Sequence, residues 1–172
     1  TVERVLSDAI RTVPVADGVE IRPFAPELSE STRLARNAAF RDHWSSQSTS
    51  PESWAHLVGG EGFSSDLSFL AVVDDGSGPD VVGFVLTIVN RDDWEGQGFT
   101  SCYVDLVGVV REWRGRGIAQ ALLARHFEAA RAAGLDRSTL DVDSENPSGA
   151  LGLYTGMGYV EANRHMSFVR VY

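Results

Sequence analysis

Cysteine is the residue this sequence has least of: Cys102 stands alone among 172 residues. A single thiol excludes an internal disulfide and fits a reducing, cytoplasmic setting. Because Cys102 lies inside an apolar run, it reads as a small buried hydrophobe rather than a nucleophile. Positive charge is also short, with 15 Lys and Arg against 24 Asp and Glu and a formal net charge of −9. That balance argues against nucleic acid as a partner, since phosphate contacts need a basic face. It is compatible with a cationic or amine acceptor. No apolar run is long enough to cross a membrane and no signal peptide is visible. Repeats and low-complexity segments are absent too. The four histidines and one cysteine show no metal-ligand spacing, so no metal site is expected.

What is present describes an ordinary globular domain, 43% hydrophobic and 23% charged, long enough for a real core. Its organising stretch runs from Tyr103 to Gly134. An apolar strand ending at Val110 leads into the basic glycine loop Arg111-Glu112-Trp113-Arg114-Gly115-Arg116-Gly117. A helix follows, with Ala119, Leu122, Leu123, Phe127 and Ala130 at helical spacing and Gly134 where it ends. The first amides of a helix lack internal partners and carry partial positive charge. A glycine loop before them lets a phosphate approach the backbone closely. The loop lacks the Gly-Lys-Ser/Thr of nucleoside-triphosphate sites and the Gly-x-Gly-x-x-Gly of dinucleotide sites.

The remaining elements read in order. Val2–Arg11 is expected as a short helix or a linker stopped by Pro14, and residues 1–18 as an N-terminal extension or interdomain joint. Val19–Pro23 alternates as a first strand. Pro26–Phe40 reads as a helix capped by Ser29 or Ser31, and Pro51 opens a second helix that Gly59, Gly60 and Gly62 break. Leu67–Asp74 and Val81–Asn90 form a strand pair, with Gly83 marking a bulge. Arg91–Gly98 reads as a loop, Phe99–Val110 as the central strand, and Ser138–Asp143 as the next. Asn146 begins a helix containing Tyr154, and Arg164–Val171 closes the sheet.

Arg114-Gly115-Arg116-Gly117-Ile118-Ala119 resembles the acetyl-CoA signature Gln/Arg-x-x-Gly-x-Gly/Ala of the GNAT superfamily of N-acetyltransferases. A second block resembles the same superfamily: strand positions Leu140 and Val142, then Asn146, Leu153-Tyr154 and Gly158-Tyr159. The likeness covers nearly the whole chain from Val19 onward, so residues 19–172 are expected as one such domain. Two features depart from the pattern: Arg111 replaces a common proline, and the tract from Asn146 to Tyr154 is one residue longer. Some members, the mycothiol synthases among them, carry two such modules in tandem, and the lead-in before Val19 looks like the joint between two.

The resemblance implies an α/β (α+β) fold: a mixed, twisted sheet of about seven strands flanked by about four helices. Its fourth and fifth strands, ending at Val109 and Val142, would splay apart around acetyl-CoA. Main-chain groups of Val107, Gly108 and Val109 would pair with the pantetheine arm, together with Asn146, and amides from Gly115, Arg116, Gly117, Ile118 and Ala119 would hold the pyrophosphate beside Arg114. The implied reaction moves an acetyl group to a primary amine by direct attack in a ternary complex, a small molecule being the first choice of acceptor, with amino acids, antibiotics and protein N-termini or lysines all still open. Tyr154 matches the position that commonly protonates the leaving thiolate; the alternative is a packed core tyrosine. Asp105, sharing a strand face with Val107 and Val109 by period-two alternation, is the first choice of base; a solvated carboxylate or a water chain is the alternative. Glu112 lies too near the loop for that task. His43 and Trp44 fall where acceptor-binding loops usually lie. A homodimer or a pairing with a second such domain stays open. So do a non-catalytic CoA-binding module, whose partner domain does the chemistry, and a nucleotide-binding regulatory domain.

Overall fold

The unbroken apolar runs of two neighbouring strands build the centre of the molecule. The computed structural model describes residues 1–41, 47–142 and 150–162. Among these, seven strands form one sheet: β1 (Val2–Val5), β2 (Glu20–Pro23), β3 (Phe63–Asp74), β4 (Pro79–Ile88), β5 (Ser101–Val109), β6 (Arg137–Leu140) and β7 (Val160–Glu161). Their order is β2-β3-β4-β5-β6-β1-β7, antiparallel throughout except for the parallel pair β5–β6. The helices are α1 (Ser29–Ala39), α2 (Pro51–Val58), α3 (Asp92–Gln97), α4 (Ile118–Ala132) and α5 (Ala150–Gly156).

Leu67 to Val72 in β3 and Val81 to Thr87 in β4 are buried without alternation, as strands covered on both faces are. The two glycines of the central strands show what covers them. A β-carbon on Gly83 would meet Ile118 and Leu122 of α4, whereas one on Gly108 would meet Phe84 and Ala39 of α1. Helices α1 and α4 therefore lie on opposite faces. The register between β3 and β4 shifts between Ala71 and Val72, leaving Val82 as the extra residue beside Gly83. Glycine is required at position 83 by the approach of α4: an added β-carbon would stand 3.0 Å from Ile118 Cγ2 and 3.2 Å from Leu122 Cδ1. Gly83→Val should therefore cost about 1–3 kcal/mol through overpacking. The check is a thermal unfolding midpoint, and an unchanged value would contradict so close a contact.

Helix ends follow local chemistry in two cases. Ser50 caps α2 by accepting from the Ser53 amide at 3.2 Å. Helix α4 closes on Gly134 at φ +82°, with the Gly134 and Leu135 amides bonded back to Arg131 and Ala130.

Several expectations are overturned. Neither Ser29 nor Ser31 caps α1, whose N-cap is Leu28. Ser29 instead accepts from the Trp54 indole at 2.9 Å and Ser31 from the Val81 amide at 3.0 Å. Val2–Val5 is not a helix or a linker but a strand inserted between β6 and β7. Within the expected loop Arg91–Gly98 lies the short helix α3, closed by Gly98 at φ +83°. The closing strand expected at Arg164–Val171 lies outside the described residues, as do His43, Trp44 and Asn146.

Candidate active site

The parallel ladder between β5 and β6 is three pairs long, from Ser101↔Arg137 to Tyr103↔Thr139. Beyond it, among the described residues, β5 runs on to Val109 without a partner on that side. The sheet thus splits, as a cleft between these two strands requires. A cavity of about 210 Å³ opens at the split, lined in part by Phe40, Asp105, Val107, Asp141 and Tyr154.

A β-bulge lies at the neck of the split. Leu106 pairs with Leu86 and Val104 with Thr87, so Asp105 is the extra residue in β5. Val107 and Val109 stand opposite Val85 and Gly83, on the face that α4 covers. The bulge interrupts the period-two alternation at Asp105 itself, and Asp105 lines the same cavity as Val107. Asp105 is half-buried in the cavity wall, and desolvation raises its pKa above the usual carboxylate range.

Tyr154 reaches the cavity from α5. It is 9% exposed, and burial pushes its phenol up to about 12. The ring thus keeps its proton at neutral pH. Two residues missed in the sequence stand here, Asp141 in the cavity wall and Tyr103 bonded to it. The Tyr103 hydroxyl donates to Asp141 Oδ2 at 3.0 Å, joining the two strands just past their last paired residues. Asp141 also accepts from the Thr1 hydroxyl, the largest cause of its lowered pKa, with Tyr103 contributing. Burial and this carboxylate together push Tyr103 up to about 12. Only their separation in sequence hid the pair, since both strands were expected.

At the other end of β5 lies the glycine loop. A turn of 3-10 helix at Arg111–Trp113 leads to Gly115 and Gly117, both left-handed at φ +77° and +75°. Gly117 is the N-cap of α4, and no side chain caps that end. No side-chain cap therefore satisfies the amides of its first turn. Arg114 does not extend over this loop: its guanidinium donates to Val109 O at 3.0 Å and Ala39 O at 2.7 Å. It ties the end of β5 to the end of α1 and holds the loop's entry. Arg116 lies over the Trp113 ring at 4.4 Å and donates to Glu112 O, exposed beside the open helix end.

Residues 30–159 match the acetyltransferase (GNAT) family. The chain belongs to that family. It is 34% identical over 149 residues to a mycothiol acetyltransferase of Nocardiopsis dassonvillei, an alignment covering 84% of this chain and 43% of the relative. The chain spans about half the length of the curated relatives it matches. A GCN5-related N-acetyltransferase from Sphaerobacter thermophilus superposes with a TM-score of 0.74 at 27% identity, over 92% of this chain and 46% of that one. The fold is also that of an aminoglycoside N-acetyltransferase solved with CoA, at a TM-score of 0.65 and 20% identity, covering 89% and 95% of the two chains. The expected fold class stands, with five α-helices among the described residues where about four were expected. Seven strands stand among the described residues, with a different membership from the one expected, since β1 and β7 were not foreseen.

This GNAT domain thus has, among the described residues, a helix end without a side-chain cap at Gly117 and, past Tyr103, a β5 edge without a strand partner on the β6 side. Among the described residues no cluster of His, Cys, Asp and Glu is arranged to hold a metal ion, and no helix is long and apolar enough to cross a membrane.

Proposed function

We propose that this domain transfers an acetyl group from acetyl-CoA to a primary amine on a small molecule, in one complex holding both reactants. The observation that carries the reading is the join of one cavity to one open helix end by the unpaired edge of β5. Main chain of Val107, Gly108 and Val109 would bond the pantetheine arm as a sheet neighbour. The amides from Gly115 to Ala119 would hold the diphosphate, with the charge of Arg116 nearby. Asn146 keeps its place in the reading by resemblance alone. Acetyl-CoA supplies the activated thioester; juxtaposing the reactants supplies much of the rate.

The side chains then have proton work to do. Asp105 takes a proton from the acceptor's ammonium, and the Tyr154 hydroxyl gives one to the departing sulfur. Asp141 adds a second carboxylate to the cavity, which favours a cationic acceptor. The reading also makes the chain one module of a two-domain protein, supported by its 43% coverage of the mycothiol acetyltransferase relative.

Calorimetry with acetyl-CoA, followed by thiol release on a panel of primary amines, tests the proposal. Absence of acetyl-CoA binding would sink it; binding without turnover of any amine would leave a CoA-binding module instead.

The pH dependence isolates Asp105. A base works only when ionised, so activity should climb with pH through a midpoint above the ordinary carboxylate value, because desolvation raises this pKa. Asp105→Asn should abolish that limb and lower kcat about 100-fold. The sign of the stability effect is opposite. A carboxyl whose pKa is higher folded than unfolded loses stability as pH rises between the two values and stays penalised above both. Asp105→Asn should therefore raise the melting temperature at pH 7.5 while lowering the rate. A loss under threefold in kcat would shift the proton to a water chain.

A further inference from the structure

Tyr159 has no part in the proton transfers above, yet it is tied to Tyr154 in two ways. Helix α5 closes on Gly158, at φ +94°, with the Gly158 amide bonded to Thr155 O at 3.1 Å. The Tyr159 amide bonds to Tyr154 O at 3.0 Å. In this type of helix ending the residue after the glycine folds back onto the last turn. Here the two that meet are tyrosines, edge to face, with ring centroids 5.9 Å apart and planes at 81°.

The far end of Tyr159 is fixed by a buried chain of hydroxyls. Its Oη lies 2.8 Å from Ser138 Oγ, which lies 2.8 Å from His126 Nε2. His126 Nδ1 lies 3.0 Å from Leu67 O. A carbonyl only accepts, so Nδ1 carries the imidazole proton and Nε2 accepts from Ser138, which in turn accepts from Tyr159. The chain has one direction and ends on the backbone of β3. His126 and Ser138 are 0% exposed and Tyr159 2%. Burial takes the imidazole pKa down to about 4, so the direction does not reverse at neutral pH. Ser138 pairs with Cys102 in the short β5–β6 ladder. The anchor therefore stands at the neck of the cleft that Tyr154 lines.

We propose that Tyr159 is a positioning residue for Tyr154: its hydroxyl, held by Ser138 and His126, fixes where the Tyr154 ring stands against the cleft. The inference rests on the reading of Tyr154 as proton donor. A phenylalanine at 159 would fill the same space, and the hydroxyl adds one thing that packing does not. A buried phenol must keep its partner, so the ring cannot slide along its long axis. A displacement on the order of 1 Å in a reacting group is enough to cost about 100-fold in rate.

The test is a double-mutant cycle of Tyr159→Phe and Tyr154→Phe, read as thiol release from acetyl-CoA with n-butylamine as acceptor and with water alone. With Tyr154 present, Tyr159→Phe should lower kcat about tenfold and leave the KM for acetyl-CoA within about twofold. In the Tyr154→Phe background it should lower kcat no further. Ser138→Ala, which cuts the chain without touching either ring, should reproduce the non-additivity. Its melting curve, like that of Tyr159→Phe, establishes that the variants are folded at the assay temperature. Equal losses in both backgrounds, or none in either, would overturn the inference and leave the donor reading intact. If Tyr154→Phe alone changes nothing, or the wild type releases no thiol from either acceptor, the donor reading falls and this inference with it.

Discussion

Arg4→Met is expected to lower the unfolding midpoint by about 6–12 °C. Arg4 is 4% exposed on β1, and its guanidinium donates to three carbonyls: Met157 at 2.9 Å, Val5 at 2.9 Å and Ala9 at 2.8 Å. It also lies 4.6 Å from the Phe127 ring centroid. Desolvation lowers its pKa, with Asp8 acting the other way, so the buried charge is itself costly and depends on these bonds. Methionine fills the volume of the stem and offers no donor. Carbonyls that lose a buried partner cost about 1–3 kcal/mol each, and those near the surface regain water. A net loss of about 3 kcal/mol, at about 2–4 °C per kcal/mol for a chain of this size, gives the stated shift. Arg4→Lys should recover little of it, because one ammonium cannot span the fork of acceptors. A midpoint that moves by less than about 2 °C would mean the bonds are replaced by water, and β1 would then be an ornament on the sheet.

That prediction rests on an element the sequence did not announce. Val2-Glu3-Arg4-Val5 has neither the length nor the turn signals that mark a strand. Its register is set by Ser138 and Leu140, more than 130 residues away in the chain. By contrast, the run from Tyr103 to Gly134 was legible because each of its signals is local. Strand alternation, two left-handed glycines, a helical apolar stripe and a terminal glycine all act within a few residues. Ser29 and Ser31 show the limit of local rules. Both are plausible caps by position, and both spend their hydroxyls on tertiary partners, Trp54 and Val81. Helix α3 is two turns at most and buries no side chain, so it left no apolar stripe to read.

The site divides along the same line. Asp105 and Tyr154 were nominated by position, and both line one cavity. The bulge at Asp105 depends on how β5 pairs with β4, which alternation in one strand cannot reveal. Asp141 and Tyr103 meet across 38 positions. The three-residue chain of Tyr159, Ser138 and His126 draws on a turn, a strand and a helix. Arg114 matched a ligand-binding signature by sequence, while its donors are directed to Val109 and Ala39. A signature residue can serve its loop by bracing it from behind.

Tyr154→Phe should lower kcat about 100-fold or more, with the KM for acetyl-CoA within about twofold, if the hydroxyl is the proton donor to sulfur. The substitution removes one oxygen and keeps the ring that meets Tyr159 edge to face, so the fold and the cavity wall are preserved. The phenol pKa near 12 defines how the loss should depend on pH and on the leaving group. Desolvation is the only cause of that shift, so the group stays protonated across the working range and contributes no alkaline limb of its own near neutrality. The rate lost on mutation should therefore be constant from pH 6 to about 9. It should shrink for an acyl donor whose thiol is more acidic, because a better leaving group needs less help from an acid. Measuring kcat for wild type and Tyr154→Phe with acetyl-CoA and with an acetyl thioester of lower thiol pKa tests both statements. A mutational effect that is the same for both donors would assign Tyr154 to binding and cavity shape. One that vanishes for the activated donor alone identifies the step at which its proton is given.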